Sequence, residues 1–307
     1  MTYGNITDVP GVKVGHEQNK NALTGCTVIR VDDGATCGVD IRGSAPGTRE
    51  TDLLDPVNLV DQIHAICLAG GSAFGLDAAS GVMQFLEENR IGLDVGVAKV
   101  PIVPSAILFD LAVGDPNVRP DKDMGYKATQ KAKAGIFEMG SVGAGTGATV
   151  GKIIGFEHVA NSGIGSASIK LENGLVVGAI VAVNAFGDVI DPKTGNIIAG
   201  AKDPKTGKFL NTSEAMKKKA TSEGFPGTNT TIGVVASNAN LNKSQAKKVA
   251  QVSQNAIGRT IRPAHTMFDG DTIFALGTGE SDFSIDLVAS LATEVMEKAI
   301  IEAVKNS

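Results

Sequence analysis

"IGSASIKLENGLVVGAIVAVNAF" (residues 164–186) is the stretch on which the architecture of this chain turns. Two runs of β-branched and small apolar residues flank Asn173-Gly174, a dipeptide suited to a tight reversal because glycine accepts positive φ at no steric cost. They predict an antiparallel hairpin. Beyond it the pattern gives a strand over 230–237, a helix over about 243–257 capped by Asn242, a strand over 272–277 and a C-terminal helix over 282–305. In that last helix Ile285, Val288, Ala292, Val295, Ala299 and Ala303 fall on one stripe. Strands come in pairs and helices in separate blocks, which predicts a layered α+β fold over a doubly wound parallel sheet.

Toward the N-terminus, "TGCTVIRV" (24–31), "DDGA" and "TCGVDIR" (36–42) read as a second hairpin. Residues 61–90 carry Ala, Leu, Val and Met at helical spacing after Gly70-Gly71, so a long helix is expected from near Ser72. "AKVPIVPSAILFDL" (98–111) is apolar, but Pro101 and Pro104 suit a strand or buried connector better than a helix interior. Residues 187–229, with two copies of "DPKTG", interrupt the apolar pattern and read as an exposed, mobile linker.

With 307 residues the chain can bury a substantial core without crosslinks. It has no Trp and two Tyr but 38 Gly, which favours close backbone approaches. A net charge of −5 with no polybasic run argues against nucleic acid as a partner. Cys26, Cys37 and Cys67 are odd in number and lack metal-site spacing, so reduced core positions are expected. No apolar run approaches the roughly 20 residues of a membrane span. The expectation is a cytoplasmic protein with no membrane partner and no cofactor.

Two glycine-rich motifs tempt a nucleotide reading. "GAGTGA" (143–148) fits GxGxxA, with Glu172 near the place of a ribose-binding acid, but no convincing strand–turn–helix unit surrounds it. "GATVGK" (147–152) echoes a phosphate loop but has Thr146 where that pattern needs Gly and Ile153 after the lysine. Lys152 is then either a surface lysine or one delivered into a pocket. His16, His64, His158 and His265 show no HxxxH or HExxH spacing and read as structural, and no GxSxG elbow is present. "NTTIG" (229–233) and "HTMFDGDTIFALGTG" (265–279) remain. Thr at a strand start is an ordinary strand former. Asp269 and Asp271 either form a turn or, as i and i+2 of an extended segment, face one site.

Together with "ITDVPGVKVGH" (6–16), "GGSAFGLDAASGV" (70–82), "VGDPNVRP" (113–120), "GTGATVGK" (145–152) and "NTTIGVVASNA" (229–239), these motifs resemble, nearly end to end, a family of self-processing aminopeptidases and amidases. That family includes the L-aminopeptidase/D-esterase, the β-peptidyl aminopeptidases and the nylon-oligomer hydrolase. The resemblance implies a four-layer αββα sandwich. It also implies a precursor cut between Asn229 and Thr230, giving an α chain 1–229 and a β chain 230–307 that share one domain and assemble into oligomers, such as tetramers of αβ units. Thr230 would be the N-terminal nucleophile, with its own α-amine as base; an α-amine ordinarily titrates at about 7.7 to 8.0, near the operating pH.

By the same resemblance Asn184 stabilises the oxyanion, Lys152 keeps the neighbouring amine basic but neutral, and Asp269 and Asp271 orient and activate the nucleophile. Phe109, in "AILFDL", stands where several members carry a pocket tyrosine, so a hydroxyl contact is missing there. Thr231 points to the opposite face of its strand. The implied activity is hydrolysis of amide bonds in small peptides, β-peptides or ω-amino-acid oligoamides of the 6-aminohexanoate type. The competing readings are a nucleotide- or cofactor-binding protein using residues 143–151, and an inert member that never processes.

Overall fold

The computed structural model describes residues 4–218 and 229–307. Among the described residues nine strands build the main sheet: β1 Val12–Asn19, β2 Thr24–Ile41, β3 Thr48–Arg49, β4 Gln62–Ala69, β5 Ser105–Ile107, β6 Ile164–Lys170, β7 Val176–Asn184, β8 Thr230–Ala239 and β9 Thr272–Ser281. Their order is β6-β7-β8-β9-β2-β4-β5-β3, with β1 also paired to β2. The pairs β4–β5 and β8–β9 are parallel and the others antiparallel. Five helices accompany them among the described residues: α1 Ala78–Glu88, α2 Lys122–Lys131, α3 Thr212–Lys218, α4 Lys243–Thr260 and α5 Ile285–Lys305.

Strand alternation sorts the core into three clusters. Val177, Ala179 and Val181 of β7, Val235 of β8 and Ile273 and Ala275 of β9 meet α4 and α5. The intervening residues Ile180, Ala182, Ile232, Val234 and Phe274 turn to the other face, where they join Val12, Val14, Ile29, Ile66 and Leu68. Cys26, Val28, Ala65 and Cys67, alternating with those, pack against Ala78, Ala79 and Val82 of α1 and Ala128 of α2. All three cysteines are free and buried. The α5 stripe read from spacing is the buried face of that helix, with Ile285 at its partly buried edge. Asn242 caps α4 through a reciprocal pair with Gln245.

The 164–186 hairpin forms as β6 and β7. Its connection is one residue longer than a two-residue turn: Gly174 alone takes positive φ, and its N–H donates to the Leu171 carbonyl at 3.1 Å while Leu171 N–H donates to Leu175. The second expected hairpin does not exist, because residues 24–41 form one continuous strand. Asp32 is paired with Lys13 and Arg30, and the ladder to β4 bulges between Arg30 and Ala35 without reversing. The chain reverses instead between β1 and β2. The segment after Gly71 opens as a 3-10 helix, Ser72–Asp77, before α1 begins.

The expected linker is ordered through Lys218. Asp188–Ile190 pairs with Ile197–Ala199 and with Ile261–Arg262 in a small sheet, and Val189, Ala201 and Thr212 are fully buried. Its two "DPKTG" repeats close local turns, with Gly195 N–H donating to Asp191 and Gly207 N–H to Asp203. The remainder of that expectation, residues 219–228, lies outside the described residues. No helix among the described residues is long and apolar enough to cross a membrane.

Candidate active site

β8 and β9 run parallel from the pair Ile232 and Thr272, and an isolated bridge further back pairs Asn229 with Asp269 in the same sense. Between these points a side chain replaces the ladder: the Thr231 N–H donates to Oδ1 of Asp271 at 2.7 Å. This opened start of a parallel pair holds the candidate site. Thr230, 3% exposed, stands opposite Asn184 in the β7–β8 pair. Its hydroxyl donates to the carbonyl oxygen of Asn229, which also accepts the Gly270 N–H at 2.9 Å. Thr230 heads the alternation that continues through Ile232 and Val234, whereas Thr231 belongs with Val235 on the α4/α5 side.

Asn184 is fixed on both ends. Its Oδ1 accepts the Thr149 N–H at 3.0 Å and the Lys152 ammonium at 2.8 Å, while its Nδ2 donates to the Phe109 carbonyl at 2.8 Å. A backbone N–H can only donate and a carbonyl can only accept, so the amide has one workable orientation. Lys152 is brought in by the loop after Thr149–Val150, and its Nζ also donates to the Asn184 carbonyl at 3.1 Å. Burial pushes this ammonium down to about 7, against the pull of Asp269 and Asp110. A lysine so placed exchanges its proton near neutral pH, unlike one at the surface.

The two acids occupy distinct surroundings. Asp269 accepts the Thr266 N–H at 2.5 Å, and burial together with the neighbouring Asp271 charge raises it to about 6. Asp271 spends Oδ1 on Thr231 and Oδ2 on His265, whose Nδ1 lies 2.8 Å away and whose N–H donates at 3.3 Å. Burial opposes a charged ring on His265, but the Asp271 carboxylate outweighs it and holds the imidazole above its ordinary value. The i, i+2 spacing therefore brings two carboxylates together while giving them different hydrogen-bond partners.

The structure gathers Asn229, Thr230, Lys152, Asn184, Asp269 and Asp271 at one place, and it reaches Phe109 through that residue's carbonyl. Three further residues belong here. His265 read as structural, although its position in the same short loop as both acids was the available signal. Asp110 is buried, accepts from Thr24 Oγ1 and the Gly71 N–H at 2.7 Å each, and is raised by that burial. Gly270 sits between the acids. No local pattern marks Asp110 or Gly270, because their roles come from chain segments far apart in sequence.

The glycine run is put to another use. A Cβ on Gly145 would meet Gly163 and Ile164 backbone atoms within 2.5 Å, and one on Gly151 would meet the Ala201 nitrogen at 2.1 Å. The space a phosphate would need is filled by the chain's own backbone. Thr149–Val150 pairs antiparallel with Ala160–Asn161, so no βαβ unit surrounds the motif.

The chain belongs to peptidase family S58, which it matches over residues 4–307, and is a hydrolase acting on amide bonds. It is 42% identical to an uncharacterized aminopeptidase of Mycobacterium leprae, over 94% of this chain and 83% of that one. It is 34% identical to the 6-aminohexanoate-oligomer endohydrolase of a Kocuria species, over 97% of this chain and 85% of the other. Its fold is shared with an L-aminopeptidase D-Ala-esterase/amidase from Ochrobactrum anthropi, a variant of the Ntn hydrolase fold, at a TM-score of 0.73 and 17% identity over 99% of this chain and 86% of that one.

Proposed function

We propose that this hydrolase activates itself by cutting between Asn229 and Thr230 and then uses Thr230 as an N-terminal nucleophile. The observation that carries the reading is the Thr230 hydroxyl bonded to the carbonyl of the residue before it, in a buried position with Lys152 and two carboxylates gathered around the strand start. Cleavage leaves an α chain 1–229 and a β chain 230–307 in one domain. The three apolar clusters, with α4/α5 on one side and α1/α2 on the other, support a four-layer αββα sandwich to which both chains contribute.

In the mature enzyme the freed α-amine of Thr230 takes the hydroxyl proton as Oγ attacks the substrate carbonyl, and an acyl-enzyme forms. Lys152 disfavours protonation of that amine, Asp269 and Asp271 orient and activate the nucleophile, and Asn184 donates to the oxyanion. Phe109 lines the substrate pocket without a hydroxyl. The substrates are small peptides, β-peptides or ω-amino-acid oligoamides, a class suggested by the named activity of the Kocuria relative. We further propose a cytoplasmic oligomer of αβ units.

A denaturing gel with N-terminal sequencing tests this. The wild type should give two bands, the smaller beginning Thr-Thr-Ile-Gly-Val, and Thr230→Ala should stay one chain. A wild type that hydrolyses 6-aminohexanoate oligomers while uncut would remove the N-terminal nucleophile from the scheme.

A further inference from the structure

Self-cleavage has its own electrostatic requirement. As Thr230 Oγ attacks Asn229, the Asn229 carbonyl oxygen gains negative charge and needs a donor already aimed at it. The Gly270 N–H is that group, 2.9 Å from the oxygen before any reaction occurs. Its placement follows from the sheet, since the Asn229–Asp269 bridge continues the parallel direction of β8 and β9 and sets the next amide along the partner against the Asn229 carbonyl. Asn184, assigned above to the substrate stage, holds its Nδ2 on the Phe109 carbonyl and its Oδ1 on Thr149 and Lys152.

Glycine at 270 has a second reason. A Cβ there would lie 2.9 Å from the Thr230 Oγ and 2.9 Å from the Ala45 carbonyl oxygen, closer than side-chain carbons approach their neighbours. The Ala45 N–H donates to the Asp269 carbonyl at 2.9 Å, which holds the Ala45 backbone against Gly270 and leaves no space for such a methyl group. Any side chain at this position therefore pushes on the hydroxyl that must reach the carbonyl carbon.

We propose that the backbone amide of Gly270 is the oxyanion donor of self-cleavage, and that glycine is required there to leave the Thr230 hydroxyl its path. This rests on the self-processing reading. In the step the Oγ–carbon bond to Asn229 forms, the Asn229–Thr230 C–N bond breaks, and the hydroxyl proton ends on the Thr230 nitrogen. Water then splits the resulting ester, returning a proton to Oγ and leaving Asn229 as a carboxylate. The developing charge rests on the oxygen held by Gly270 in the tetrahedral intermediates of both stages.

The direct test replaces Gly270 by glycolic acid in the full-length chain, which exchanges the N–H for an oxygen while adding no side chain. Self-cleavage should slow by about 10²- to 10³-fold relative to wild type, followed by gel and mass spectrometry on chains of matched circular dichroism. Cleavage at the wild-type rate would overturn the proposal while leaving self-processing intact; a wild type that never cuts would overturn both. Hydrogen exchange gives a reading independent of that variant. The Gly270 amide should be protected in uncleaved Thr230→Ala and exchange at least about tenfold faster in the processed wild type, where the Asn229 carbonyl is no longer held by its peptide bond. Equal, fast exchange in both chains would sink the assignment.

Discussion

The glycine run 143–151 and the Asn229–Asp271 junction are both buried, both polar or glycine-rich, and both placed where strands begin. They differ in what their groups are spent on. In the run, the missing side chains let backbone segments at 163–164 and 200–201 approach closely, and the space beside the glycines is taken up by that backbone. At the junction the ladder is interrupted, a hydroxyl lies against a peptide carbonyl, and Lys152 and Asp269 carry displaced proton affinities. A motif becomes a site when the fold leaves its reactive groups in charged, partly unspent surroundings; one whose space is filled is packing.

The sharpest way to break this contrast is at Thr230. Thr230→Ala should abolish self-cleavage and lower hydrolysis of an amino-acid amide by at least about 10³-fold, read by gel and product assay, because no other described group takes the hydroxyl's place. Lys152→Met comes next. It keeps the buried stem but removes the ammonium that Asn184 receives, and processing should slow by about 10²-fold in a time course.

The acid pair gives a pH signature. Asp269 is raised from 3.8 to about 6, so between these values the native chain binds more protons than the unfolded chain, and stability falls as pH rises. Thermal melts in a Thr230→Ala background should show Asp269→Asn gaining on its parent from about pH 4 to about pH 6 and then holding a constant margin. A margin that does not change with pH would mean that Asp269 titrates normally.

The packing half of the comparison is tested by Gly145→Ala, whose methyl meets the Gly163 and Ile164 backbone. It should cost about 1 to 3 kcal/mol in a denaturant melt, as expected for overpacking, with processing retained. The smallest effect belongs to Asn242→Ala. Loss of the α4 cap should cost about 1 kcal/mol and leave the cleavage rate unchanged.

Much of this was legible in the chain itself. The β6–β7 hairpin, the capped helix α4, the stripe of α5 and the strands on either side follow from short-range periodicity, which depends on residues a few positions apart. The site residues were legible only as parts of matching motifs. Asp269 and Asp271 were ambiguous between a turn and a site, because spacing fixes a shared direction but not what lies in it. His265 was set aside for lack of metal-like spacing, though its partner is a carboxylate six positions away. The error at 24–42 has the same root: "DDGA" has the composition of a turn, but Lys13 on another strand and Arg30 neutralise Asp32 and keep the strand running.

The sequence by itself determined where apolar faces form, where glycine permits a reversal, and which residue types are present for amide chemistry. Only the tertiary structure decided that β8 and β9 run parallel, that Asn184 stands opposite Thr230, and that Gly270 points its N–H at Asn229. Those relations join segments tens of residues apart. Burial, shared charge and sheet register are properties of the assembled fold, and they set an ordinary Asn-Thr-Thr at the start of a strand among a buried lysine and two carboxylates.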